Sequence, residues 1–133
     1  MTDVDCDVLV VDDDRALREG LVELARMEGF SARAASNGLE ALTLLNQGLR
    51  PLVILLDLGM PGLNGWEVVE ALSHDASLAG IPVAIMSGIV AEDRAPLRQW
   101  DLGFFHKPLN FDDFDAVLAR VRPVVWRKRG TSP

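Results

Sequence analysis

The chain has 133 residues, 49% of them hydrophobic and 25% charged, with a net charge of −7 at neutral pH. That is about one domain's worth of chain, enough to bury a core without disulfide staples, and its balance argues against disorder. No apolar run approaches the roughly 20 residues of a membrane span, and the acidic start MTDVDCDVLV lacks the basic region of a signal peptide.

Residues 8–11, Val-Leu-Val-Val, predict a first strand that runs into Asp12-Asp13-Asp14. Leu17, Leu21 and Leu24 then recur with Val22 and Ala25 at helical spacing. Asp14 is the expected N-cap of that helix and Gly29 its stop. Residues 30–35 predict an edge strand, and Ser36 is placed to cap a second helix with Leu39, Leu42 and Leu45 inward, ending near Gly48. Residues 52–56 are the strongest strand signal and run directly into Asp57. A third helix is expected after its cap, Asn64, with Val68, Val69 and Leu72 buried. Residues 82–86 predict a fourth strand ending at Ser87-Gly88. A short helix follows between Glu92 and Trp100, with Pro96 confined to its first turn or to a kink. Residues 102–105 predict a fifth strand, followed by His106-Lys107-Pro108. Asn110 caps a final helix that buries Phe114, Val117, Leu118 and Val121 and stops at Pro123.

These are five β–α units. Strands that are apolar throughout, rather than alternating, imply a parallel sheet covered on both faces, hence a doubly wound α/β sandwich. In such a sheet ligands bind outside the carboxyl ends of the strands. At that edge this chain places Asp12 and Asp13, Asp57, Ser87 and Lys107. The body and the tail differ in charge: all 20 acidic residues lie before Arg120, and the last 14 residues carry five basic groups. An acidic body does not suggest direct nucleic-acid binding, and the basic segment 123–133 reads as a solvated tail or linker after a domain of residues 1–122. A single cysteine, Cys6, excludes an internal disulfide and suits a reducing, cytoplasmic setting.

Three crowded carboxylates repel one another unless a cation compensates. Lys107 supplies one positive charge, and an all-oxygen site points to Mg²⁺ for the rest, or Mn²⁺ in its place. Such a site suits a phosphoryl group. Asp57 is then the expected nucleophile, forming an acyl phosphate. Asp13 and Asp57 are the expected metal ligands, with Asp12 acting through water and the backbone carbonyl of Gly59 completing the set. Lys107 and Ser87 are the expected partners of the phosphoryl oxygens.

The motifs VLVVDDD (8–14), LLDLGMPGLNG (55–65), AIMSG (84–88) and FFHKP (104–108) together resemble the receiver domain of two-component response regulators. The resemblance covers about residues 7–122. It implies a flavodoxin-like five-stranded parallel sheet of order 2-1-3-4-5 with helices on both faces. It also implies Asp57 as phosphoacceptor, Asp12 and Asp13 as the acidic pair, Ser87 as switch hydroxyl, Phe104 as switch aromatic, and a cis Lys107–Pro108 bond. The implied donor is a sensor histidine kinase or phosphotransfer protein. The implied output is a downstream protein or a covalently linked domain, with a dimer allowed and no membrane contact. The only reaction expected is the chain's own phosphorylation and dephosphorylation.

The sequence also departs from the family pattern. Ser87 stands where Thr is commoner, Phe104 where Tyr is frequent, and Gly59 offers no side chain beside the acceptor. The stretch from Ser87 to Lys107 is about two residues short and holds Pro96 and Trp100-Asp101. That keeps an adaptor independent of phosphorylation as the alternative. A phosphatase acting on external substrates would want an acid two residues after its nucleophile, where Gly59 stands. Flavin binding is contradicted by the acidic first loop. Elsewhere the plain readings are preferred: Asp14 as a cap, His74 and His106 as exposed, Cys6 as inert, Trp66 and Trp100 as packing groups, and Val124-Val125-Trp126 as a frayed end.

Overall fold

The computed structural model describes residues 4–59, 65–87, 102–107 and 109–129. Five strands, β1 (Val4–Val11), β2 (Ala32–Ala35), β3 (Leu49–Asp57), β4 (Val83–Ser87) and β5 (Gly103–His106), form one parallel sheet in the order β2-β1-β3-β4-β5. Among the described residues four helices cover it: α1 (Arg15–Met27), α2 (Gly38–Asn46), α3 (Gly65–Ser73) and α4 (Phe111–Arg129). The short helix expected between Glu92 and Trp100, the Asn64 cap and the Lys107–Pro108 bond lie outside the described residues.

The continuous apolar strands have a simple cause. Side chains alternate across a strand, so each central strand feeds two cores. Leu9, Val11, Ile54, Leu56 and Ile85 pack on one face with Ala41 and Leu45 of α2 and Val68, Val69 and Leu72 of α3. Val8, Val10, Val53, Leu55 and Met86 pack on the other with Leu21, Val22 and Ala25 of α1 and Phe114, Val117, Leu118 and Val121 of α4. Along Val8–Val11 and Val53–Leu56 both faces are buried, so no polar residue interrupts these stretches.

The local signals act as expected in several places. The Asp14 carboxylate accepts the Leu17 N–H at 3.2 Å and caps α1. Just past α1, Gly29 takes φ +91°, a left-handed conformation that suits glycine and ends the helix. Asn110 caps α4 by accepting the Asp113 N–H at 2.7 Å. At the far end of β1, Asp7 and Ser31 exchange two bonds: the Ser31 N–H donates to Asp7 Oδ2 at 2.8 Å and the Asp7 N–H to Ser31 Oγ at 3.0 Å. These pin the start of the edge strand β2 to β1.

Four expectations are corrected. Asn37, not Ser36, caps α2: its side chain accepts the Glu40 N–H at 2.7 Å, while Ser36 Oγ donates to Glu40 Oε2 at 2.6 Å. That phase turns Leu39 out to 68% exposure and buries Ala41 in its place, while Leu45 is buried and Leu42 packs half-buried on the same core as expected. Pro123 does not end α4, which continues to Arg129. The reason is Val125: it is buried in the same core as Leu118 and Val121, at the spacing of one helical face, so packing holds the last turns in register across the proline. The Val124-Val125 segment is therefore docked on the body rather than frayed.

Pro123 is exposed, lacks the N–H that would bond one turn back, and sits inside the helix. Pro123→Ala is expected to stabilise the fold by about 1–3 kcal/mol, read as a higher midpoint in urea. An unchanged or lower midpoint would mean that α4 is not continuous there.

Candidate functional site

Parallel strands put all their carboxyl ends at one edge. Asp12 follows the last residue of β1, Asp57 is the last of β3, Ser87 the last of β4, and Lys107 follows β5. β1 and β3 are neighbours, with Val11 paired to Leu56, so Asp12 and Asp57 leave the sheet side by side. On the other side of β3, Asp57 pairs with Met86, next to Ser87. The Lys107 N–H donates to the Ser87 carbonyl at 2.8 Å, which fixes the ends of β4 and β5 against each other.

The side chains converge as expected. Lys107 Nζ lies 2.7 Å from Asp12 Oδ2 and 3.2 Å from Asp57 Oδ2. Asp12 is fully buried, Asp57 and Ser87 are 3% exposed, and Asp13 is exposed. One carboxylate oxygen from each of Asp12, Asp13 and Asp57 lies within 4.8 Å of the other two. Gly59 takes part through its N–H, which donates to Asp57 Oδ1 at 3.0 Å. A Cβ at position 59 would meet that oxygen at an ordinary 3.8 Å, so the glycine leaves this side of Asp57 open without being required there. The backbone of Phe104 pairs with Ile85 in the sheet, while its side chain lies outside what the structure describes.

Two supports were not read from the sequence. Gly65 opens α3 hard against the end of β3, where a Cβ would come within 2.7 Å of the Asp57 carbonyl oxygen and 2.8 Å of Leu58 Cα. Only glycine lets that helix approach so closely. The sequence marks Asn64 as a helix cap, but nothing in it signals the backbone contact at Gly65. Arg18, one turn into α1, donates from Nη1 to the Asp12 carbonyl at 3.0 Å, and its only sequence signal is a basic residue a few positions after the acidic run.

The electrostatics follow from burial. Desolvation pushes the Asp57 carboxyl above its ordinary range, and the Asp12 charge pushes the same way. The Gly59 N–H and the Lys107 ammonium hold it down without cancelling the rise. Burial works against the Lys107 charge, yet its contacts with Asp12 and then Asp57 leave the ammonium held above its ordinary value. Asp12 Oδ1 accepts the Asp14 N–H at 2.8 Å. Its Oδ2 is sealed from water and, among the described residues, has no partner aligned for a hydrogen bond; the nearby ammonium gives it charge but not geometry. A hard divalent cation would satisfy that oxygen and two further carboxylates, so the donor set fits Mg²⁺. Away from the edge, the Cys6 thiol is buried and burial raises its pKa, which leaves it inert. His74 is exposed beside Glu70 at 3.8 Å.

The family model of the response regulator receiver domain matches residues 8–119. Response regulator MprA of Mycobacterium sp. (strain KMS) is 36% identical over 126 residues, which cover 95% of this chain and 52% of that protein. The DNA-binding response regulator MtrA of Mycobacterium tuberculosis (strain H37Rv) is 41% identical over 80 residues, 60% of this chain and 33% of that protein. The chain thus spans about half, or less, of the length of these curated relatives. The solved structure of response regulator protein TrrA from Thermotoga maritima, in complex with Mg²⁺-BeF, matches with a TM-score of 0.72 at 28% identity, covering 87% of this chain and 98% of that one.

A carboxyl whose folded pKa is raised favours the native state below that pKa, where the native state keeps a proton the unfolded chain has released. Stability therefore falls as pH rises from the ordinary carboxylate range through the higher folded value of Asp57. In metal-free buffer, Asp57→Asn is expected to be more stable than the parent at pH 7, by on the order of 1 kcal/mol. The gain should vanish in acid, below the ordinary carboxylate range. Denaturant melts across pH check this; a less stable variant at neutral pH, or a gain that persists in acid, would contradict it.

Proposed function

Because the chain belongs to the response regulator receiver family, we propose that Asp57 accepts a phosphoryl group from a phosphohistidine on a sensor histidine kinase or phosphotransfer protein. The observation that carries this reading is the Lys107 ammonium set between two buried carboxylates, with a third carboxylate beside them. An Asp57 oxygen attacks phosphorus and forms the new P–O bond. The bond from phosphorus to the donor imidazole nitrogen breaks, and its electron pair leaves with the nitrogen. Asp57 must be ionised to attack, and burial opposes that; the Gly59 N–H and the Lys107 charge favour the ionised form.

Each neighbour has a task. Lys107 leaves its bridge to pair with a phosphoryl oxygen, which spreads the charge the transfer brings into the site. Ser87, buried at the end of β4 and tied to Lys107 through the backbone, donates its hydroxyl to another. Asp12, Asp13, Asp57 and the Gly59 carbonyl would hold Mg²⁺ or Mn²⁺; when bound, it neutralises charge on the group in transfer. The output is a population shift, drawn through Ser87 and Phe104, toward a surface read by a downstream protein or a linked output domain. The basic stretch after Val125 is where such a domain would join. The setting is cytoplasmic, in keeping with the lone buried cysteine; none of the described helices is long and apolar enough to cross a membrane. The chain catalyses only its own phosphorylation and dephosphorylation. An adaptor that ignores phosphate is not favoured, because it would have no use for this complete set of buried charges.

The test is the mass of the intact protein after incubation with Mg²⁺ and a small-molecule phosphodonor. One phosphoryl increment is expected, absent from Asp57→Asn and absent when the metal is chelated. A folded parent protein that gains no increment would overturn the proposal.

A further inference from the structure

Asp13 differs from the other acids of the site. Its carboxylate is exposed and, among the described residues, makes no hydrogen bond or ion pair, yet an oxygen of it lies within 4.8 Å of those of Asp12 and Asp57. Among the described residues no polar group holds the side chain there, and the backbone is fixed on either side of it. The peptide before Asp13 is held at its carbonyl: Arg18 Nη1 donates to Asp12 O at 3.0 Å. The peptide after it is held at its N–H: Asp14 N donates to Asp12 Oδ1 at 2.8 Å. The Asp14 carbonyl in turn accepts the Arg18 N–H at 2.9 Å, so the residue that grips one side of Asp13 is itself anchored to the other.

We propose that Arg18 is a positioning residue for the divalent-cation site: its bond to the Asp12 carbonyl fixes the backbone of Asp13 so that the Asp13 carboxylate faces Asp12 and Asp57. The inference rests on the reading of these acids as metal ligands. It makes a prediction opposite to simple electrostatics. Arg18 is a cation beside a cation site, and charge alone says that its removal should tighten Mg²⁺ binding. Loss of positioning says that binding weakens.

The dissociation constant for Mg²⁺, from the shifts of backbone amides in a titration without any phosphodonor, separates the two. Arg18→Met is expected to weaken binding by about tenfold, the scale on which outer supports of ligands act. Arg18→Lys keeps the charge on a shorter stem, and should fall between Arg18→Met and the parent; it also guards against a variant that fails to fold. Asp13→Asn weakens binding by itself, and adding Arg18→Met to it should bring no further loss, since Arg18 acts through Asp13. Unchanged or tighter binding in the folded Arg18 variants, or a full additional loss in the double variant, would overturn the role of Arg18 and leave the metal reading standing. A parent protein that binds no Mg²⁺ would overturn both.

Discussion

Asp12 and Asp57 are carboxylates taken out of water side by side, and the Lys107 ammonium between them is what makes that tolerable. Without it, each ionisation would oppose the next in a poorly screened setting. Its Nζ reaches Asp12 at 2.7 Å and Asp57 at 3.2 Å, so one charge serves two acids. The arrangement asks much of the fold. The acids come from neighbouring strands and the lysine from beyond the far edge strand, so β1, β3, β4 and β5 must all stop at the same level. The paired core residues beneath them, and the bond from the Lys107 N–H to the Ser87 carbonyl, hold that level.

The pair is not a device for stability. Asp57 keeps a raised pKa despite its lysine, which means that its ionised form is strained in the folded protein. A buried oxygen of Asp12 lacks an aligned partner among the described residues. Both features suit the proposed role of the site, in which a cation would satisfy that oxygen and a phosphoryl group would draw the lysine off its bridge. The hydrocarbon around β1 and β3 supplies the free energy that keeps such a site in place.

Most of the sheet was legible in the sequence because its central strands are apolar on both faces and run into polar or charged residues. The runs at 8–11 and 52–56 read as strands once helices alternate with them. The charged ends were legible for the same reason, which is why Asp12, Asp13, Asp57, Ser87 and Lys107 could be grouped before any geometry. The errors came where two local signals compete. Ser36 and Asn37 both suit a cap, and the choice turns on Glu40, which binds one with its backbone and the other with its side chain. Pro123 carries a strong local stop, overridden by the burial of Val125 four residues past Val121. Gly65 and Arg18 stayed hidden because each acts on backbone atoms brought near by the fold, and no spacing in the sequence encodes that.

The central claim is that the Lys107 charge holds Asp57 ionised against its burial. The most direct measurement is the titration of the Asp57 carboxyl carbon by NMR, without divalent metal, in the parent and in Lys107→Gln. The account predicts a clearly higher pKa for Asp57 in the variant, with the protein still folded. The same pKa in both proteins would mean that the lysine does not govern the acceptor, and the account would fail at its base.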